Sequence, residues 1–196
     1  MRSETSHNLR RRRPRPAAWV LAAALGLASA TPQATDLATR DEALRSVYPN
    51  AQFKSERVFL TAAQLERARA ESGQEIASPL IARYLVRRDG RPAGRAYVDT
   101  HVVRTKKESL LICLDQAGLV KRIEVTAFLE PPEYRASAPF YAQYAGRTLS
   151  QDLQLNRAIR PIAGATLTVR SANEAVRRVL AIDRVLASPG AGGGTP

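Results

Sequence analysis

Cysteine is nearly absent from this chain. Cys113 stands alone among 196 residues, which excludes an intramolecular disulfide, a Cys-x-x-Cys-His haem attachment and a cysteine-based zinc cluster. Histidine is almost as scarce. With only His7 and His101, no His-rich metal site can assemble, and a Cys-His nucleophile pair would need remote strands to meet. Cys113 itself lies in the apolar run Leu110-Leu111-Ile112-Cys113-Leu114, the setting of a buried, inert thiol. No apolar run long enough for a bilayer-spanning helix stands out either: the core Ala17 to Leu27 falls short of the about 20 residues such a helix needs.

That short core has a context. It follows the basic run Arg10 to Arg13 and Arg15 and precedes a small-residue cleavage site, Ala28-Ser29-Ala30 or Thr31-Pro32-Gln33-Ala34, so residues 1–34 read as a secretory signal peptide. Pro14 and Pro16 fit a twin-arginine pattern poorly and favour general secretion. The expected location is periplasmic or otherwise extracytoplasmic after cleavage.

The formal net charge of +12 suggests nucleic acid at first. Residues 1–34 hold six arginines and one glutamate, which leaves 24 Lys and Arg against 17 Asp and Glu, a net +7. Those charges are scattered singly with no aromatic-interleaved stripe, and no nucleic-acid partner is expected. A solvated basic face accounts for them. The functional alternative is a docking surface for an acidic redox partner or for anionic lipid headgroups.

Beyond the leader, Asp41 to Tyr48 reads as a helix, Phe53 to Leu60 as a strand, and Thr61 as the cap of a second helix that stops at Gly73. From Leu80 the pattern turns to alternation. Ile81 to Arg87 and Gly94 to Val103 flank an Asp89-Gly90 turn, and Glu108 to Asp115 and Leu119 to Leu129 flank Gln116-Ala117-Gly118, which together predict an antiparallel meander. Phe140 to Gly146 reads as a short helix and Leu149 to Ile159 as a short helix or an extended connector. The fold class expected is α+β, a twisted, mostly antiparallel sheet with packed helices. Four segments follow: the leader 1–34, helices and first strands over 35–90, the main domain 91–187, and a disordered glycine-rich tail over 188–196.

The most informative stretch is Pro161 to Leu180. Ser171-x-x-Glu174 has capping-box spacing and Val169, Ala172, Val176, Val179 and Leu180 recur at helical intervals, which predicts an amphipathic helix opening near Thr168 to Ser171. Before it, Gly164-Ala165-Thr166 forms a small-residue turn at the positive end of that helix, a seat for a phosphate. By composition alone the same residues are equally a loop and an N-cap.

Ala163-Gly164-Ala165-Thr166-Leu167-Thr168, followed by a helix with Ala172, Ala175 and Val176, resembles the flavinylation motif of the FMN-binding domain family. That family includes domains of the C subunit of the sodium-pumping NADH:quinone reductase and the G subunit of the Rnf complex. The resemblance covers about Gly94 to Leu186. It implies FMN held by a phosphoester to Thr166, with Gly164, Ala165, Leu167 and Thr168 as the surrounding cofactor-binding residues. Phe128 to Tyr134 looks like a variant of the Glu-Thr-Pro segment of these domains. Arg160 stands where the family usually has Asp, and Ala163 where it has Ser or Thr. The expected function is therefore that of an exported electron-transfer flavoprotein. Its partners would be a flavin transferase, an electron donor and an electron acceptor, with a membrane electron-transfer complex among the candidates. The alternative is a flavin-free accessory or binding module of the same fold.

Other groups attract weaker readings. His101, beside Asp99, suggests a proton relay or an edge-strand hydrogen bond. Tyr134, Phe140, Tyr141 and Tyr144 suggest a ring stacked on flavin or plain core packing. Glu130, Glu133 and His101 together would suit a small-ligand enzyme.

Overall fold

A computed structural model of the chain describes residues 37–188, so the leader read over residues 1–34 and the tail after Ser188 lie outside the described residues. Helix α1 spans Arg40–Val47 and α2 spans Ala62–Ser72. Both open on a capping box. The Thr39 and Thr61 hydroxyls accept from the N–H groups of Glu42 and Gln64, whose side chains reach back to the cap N–H groups at 2.8 Å in each case.

Five strands, β1 (Gln52–Phe59), β2 (Leu80–Arg88), β3 (Arg91–Val102), β4 (Lys107–Leu114) and β5 (Val120–Phe128), pair antiparallel in chain order as one sheet. The fold is α+β. The boundary drawn at residues 90 and 91 falls inside the β2–β3 turn, where Asp89 and Gly90 take φ of 50° and 73°, the left-handed pair that a two-residue hairpin requires. Strands on both sides of it belong to the same sheet. After β5 come a 3-10 turn (Pro132–Tyr134), helix α3 (Ala138–Ala142), an irregular connector and helix α4 (Thr166–Ala187). Leu149 to Ile159 is connector rather than helix, held by turns and a Leu155–Ile159 bridge.

Strand alternation sorts the residues into two cores. Tyr97, Leu110, Ile112, Leu114, Val120 and Ile123 face α2, α3 and α4, while Val86, Ala96, Leu111 and Cys113 lie under α1. Cys113 is buried, as its apolar run implied, and burial pushes its thiol up to about 12. Ala172, Ala175 and Ala181 are fully buried on α4, their small side chains permitting close packing of the helix.

The start of α4 differs from the sequence expectation. Ser171 is an interior residue of the helix rather than its cap, and the first turn begins at Thr166 with Ala165 as an N-cap that makes no side-chain bond. Glu174 lies opposite Arg170 one turn earlier, at 3.9 Å on the exposed face, rather than reaching back to a cap.

Gly94 marks the tightest approach in the sheet, beside an irregularity where Val86 pairs with Gly94 but Arg87 with Pro92. A Cβ at this position would overlap the Leu114 carbonyl and come within 2.8 Å of the Tyr48 ring, whose hydroxyl donates to that carbonyl at 2.7 Å. Neither backbone nor buried ring can give way. Gly94→Ala is expected to destabilise the fold by about 2 kcal/mol or more, read as a lowered denaturation midpoint. An unchanged midpoint would show that the strands yield freely at this point.

Candidate functional site

The two residues before α4 decide where its N-terminus points. Gly164 has φ of +85°, a left-handed conformation that turns the chain into the helix, and nothing lies within 4 Å of where its Cβ would be. Two residues into the helix, the buried Thr168 hydroxyl donates to the Tyr134 carbonyl at 2.5 Å, which ties the first turn of α4 to the 3-10 turn after β5. The first main-chain bond of the helix is Val169 N–H to the Ala165 carbonyl at 2.9 Å. The N–H groups of Thr166, Leu167 and Thr168 find no acceptor among the described residues, the ordinary condition of a helix start.

Thr166, Leu167 and Gly164 are exposed and Ala165 is buried. The Thr166 hydroxyl makes no hydrogen bond to the described residues. Around these positions is a small hollow of about 180 Å³, closed on the far side by Arg104 and Tyr134. The Arg104 guanidinium lies 4.7 Å above the centre of the Tyr134 ring, so a fixed positive charge stands beside the helix N-terminus. The volume is below the about 300–1,000 Å³ usual for a whole cofactor site and suits a phosphate group. Thr166 and Leu167 also line a larger hollow of about 610 Å³, together with Arg170, Asn173 and Arg177 of the same helix face. Among the described residues, no carboxylate or imidazole lines the smaller hollow.

No family model, curated protein or solved structure matches this chain.

The expected site residues therefore stand on their own geometry. Gly164, Ala165, Thr166, Leu167 and Thr168 come together at one hollow, but with unequal freedom: Thr168 is engaged with Tyr134, and Thr166 carries the free hydroxyl. Arg160 does not join them. Its main chain is clasped by the Gln143 amide, through bonds of 2.8 and 3.0 Å, and its side chain lines a separate hollow with Arg147 and Arg157. The cation that does join is Arg104, which sequence spacing gave no reason to select because it arrives from the β3–β4 turn.

The aromatic residues divide in the same way. Phe140, Tyr141 and Tyr144 are core residues packed edge to face, while Tyr134 is half-buried and lines the hollow.

Glu130, Glu133 and His101 do not converge. One Glu130 carboxylate oxygen accepts the N–H groups of Arg104, Thr105 and Lys106 at 3.1, 2.7 and 2.8 Å, which holds its carboxyl below the usual range and shapes the β3–β4 turn. Glu133 is exposed on the 3-10 turn. His101 sits elsewhere, its Nδ1 at 2.9 Å from Asp99 and its Nε2 at 3.1 Å from Glu108. Burial alone would lower the imidazole pKa, yet the two carboxylates outweigh it and push the group up to about 9. Arg178 from α4 pairs with Asp99 at 3.0 Å, and the Tyr141 hydroxyl donates to Glu108 at 2.8 Å. Burial opposes ionisation of Asp99, but His101 and Arg178 hold its pKa low. These groups link β3, β4, α3 and α4.

Proposed function

We propose that this protein is an exported electron-transfer flavoprotein carrying FMN esterified to Thr166. The observation that supports it best is a free, exposed Thr166 hydroxyl on the first turn of a 22-residue helix, beside three unpaired N–H groups and Arg104. A phosphodiester there carries one negative charge, which the helix N-terminus favours by about 0.3–1 kcal/mol, and up to ~2 where partly buried. The residues fit the group: Thr166 would supply the oxygen, the N–H groups of Leu167 and Thr168 and the Arg104 guanidinium would hold the phosphate charge, and Gly164 leaves open space beside them. Bound FMN would supply one- and two-electron transfer, a chemistry that no side chain of the site offers.

Attachment needs a second protein. No carboxylate or imidazole lines the smaller hollow, and the reading assigns activation to a flavin transferase, which would accept the proton while the Thr166 oxygen bonds the FMN phosphorus of FAD and AMP leaves. Co-expression with an active transferase, followed by denaturation, tests the reading: the protein is expected to stay yellow and to carry the FMN mass on the peptide that contains Thr166. A colourless protein from that experiment would favour the flavin-free module.

A further inference from the structure

We propose that the end of the sheet carrying the β3–β4 turn is a docking surface for an anionic lipid bilayer. The five large hydrophobic side chains exposed among the described residues are Phe59, Leu80, Val102, Leu129 and Leu167. Antiparallel pairing puts the first four at one end of the sheet, since β1, β3 and β5 finish there and β2 and β4 begin there. Phe59 pairs with Leu80, Val102 pairs with Lys107, and the Leu129 N–H donates to the Lys107 carbonyl at 2.9 Å. Leu167 joins them because Arg104, from the β3–β4 turn, lines the same hollow. Each is 41% to 59% exposed, where isolated surface aliphatics scatter at random over most proteins.

The occupant is chosen by what lies between these residues. The turn reads Val102-Val103-Arg104-Thr105-Lys106-Lys107, with its three cations exposed and its valines at the rim. The acid nearest in space, Glu130, is turned inward, and its charge is held by the turn's own N–H groups. The exposed acids at this end are Glu133 on the neighbouring 3-10 turn and Glu75 near Leu80, the latter paired with Arg69 at 2.8 Å, and the β3–β4 turn itself stays net positive. Aliphatic side chains from separate segments, interleaved with lysine and arginine, match a surface that is anionic at the headgroups and apolar just beneath. Because the Glu130 carboxylate fixes the turn, the valines and lysines are presented together without an ordering penalty on contact. Docking there sets the Thr166 hollow beside the headgroups, and it holds whether or not flavin is attached.

Co-sedimentation of the processed protein, freed of residues 1–34, with phosphatidylglycerol-containing vesicles tests this. Each neutralised cation is expected to weaken partitioning about fivefold, so Lys106→Gln with Lys107→Gln should lower it roughly 25-fold. Val102→Ser with Leu129→Ser, both at exposed positions, should lower it roughly tenfold. Arg87→Gln with Arg88→Gln removes equal charge at the opposite end of the sheet, and it should bind as wild type. Binding that is unchanged in the Lys106/Lys107 variant, or equally weakened in the Arg87/Arg88 variant, overturns the assignment. Loss of self-association rather than of vesicle binding in the Val102/Leu129 variant would instead make a second copy of the chain the occupant.

Discussion

Thr166→Ala, co-expressed with flavin transferase, is expected to yield a folded protein that loses all colour on denaturation and shows no added mass. The effect is expected to be all or none because Thr166 carries the free aliphatic hydroxyl of this hollow. Thr168, two residues on, has its hydroxyl buried against the Tyr134 carbonyl and is not a substitute. Folding should be nearly unaffected. Thr166 occupies the first helical position, is exposed and bonds to nothing among the described residues, so alanine there removes no cap and adds a good helix former. Thr168→Val supplies the contrast: it breaks a buried bond that anchors α4 and should reduce stability by about 1 kcal/mol while leaving the adduct on Thr166. A Thr166→Ala protein that remains yellow after denaturation would place the bond elsewhere and sink the site assignment.

The second large effect is expected at His101. Its imidazole lies between Asp99 of its own strand and Glu108 of β4, with Arg178 of α4 and Tyr141 of α3 closing the two ends. The folded pKa of about 9 exceeds the unfolded value of 6.5, so the charged imidazole stabilises the fold fully below pH 6.5 and loses that contribution as pH rises through 9. A shift of this size corresponds to about 3 kcal/mol. The stability advantage of wild type over His101→Gln should therefore be about 3 kcal/mol greater at pH 6 than at pH 10, measured by chemical denaturation at each pH. Tyr97 and Tyr141 are pushed far above their usual range by burial and neighbouring carboxylates, so they stay protonated across that window. A constant advantage from pH 6 to pH 10 would mean that folding leaves the His101 pKa unshifted.

Glu108 exposes none of its side chain, and its place in this chain of groups explains why an acid is tolerated in the core. Removing one member of a buried pair leaves the other uncompensated, at a cost of about 3–5 kcal/mol. His101 is thus a strut between elements in this fold.

Local sequence determined most of the elements. Alternation over Leu80 to Leu129, the Asp89-Gly90 pair and the Thr61 capping box all act through neighbours within a few residues, and a chain carries such information in order. The periodic Val169, Ala172, Val176, Val179 and Leu180 likewise named the buried face of α4. The start of that helix was another matter. Ser171 and Glu174 have the spacing of a cap, but the same spacing occurs inside any exposed helix. What sets the first turn at Thr166 is Gly164 in its left-handed conformation and the Thr168 hydroxyl held by Tyr134, 34 residues away in the chain.

The site divides along the same line. The turn at Gly164 and the helix that follows it were legible because they are contiguous in the chain. Asp99 beside His101 was legible as well, two residues away on one strand, whereas Arg104 at the Thr166 hollow, Glu130 beneath the β3–β4 turn and Glu108 against His101 were not, since strand pairing and the lie of α4 bring them together from separate segments. Short-range backbone preference is written residue by residue, whereas electrostatic partners at the ends of strands are chosen by how the sheet closes and how α4 lies across it.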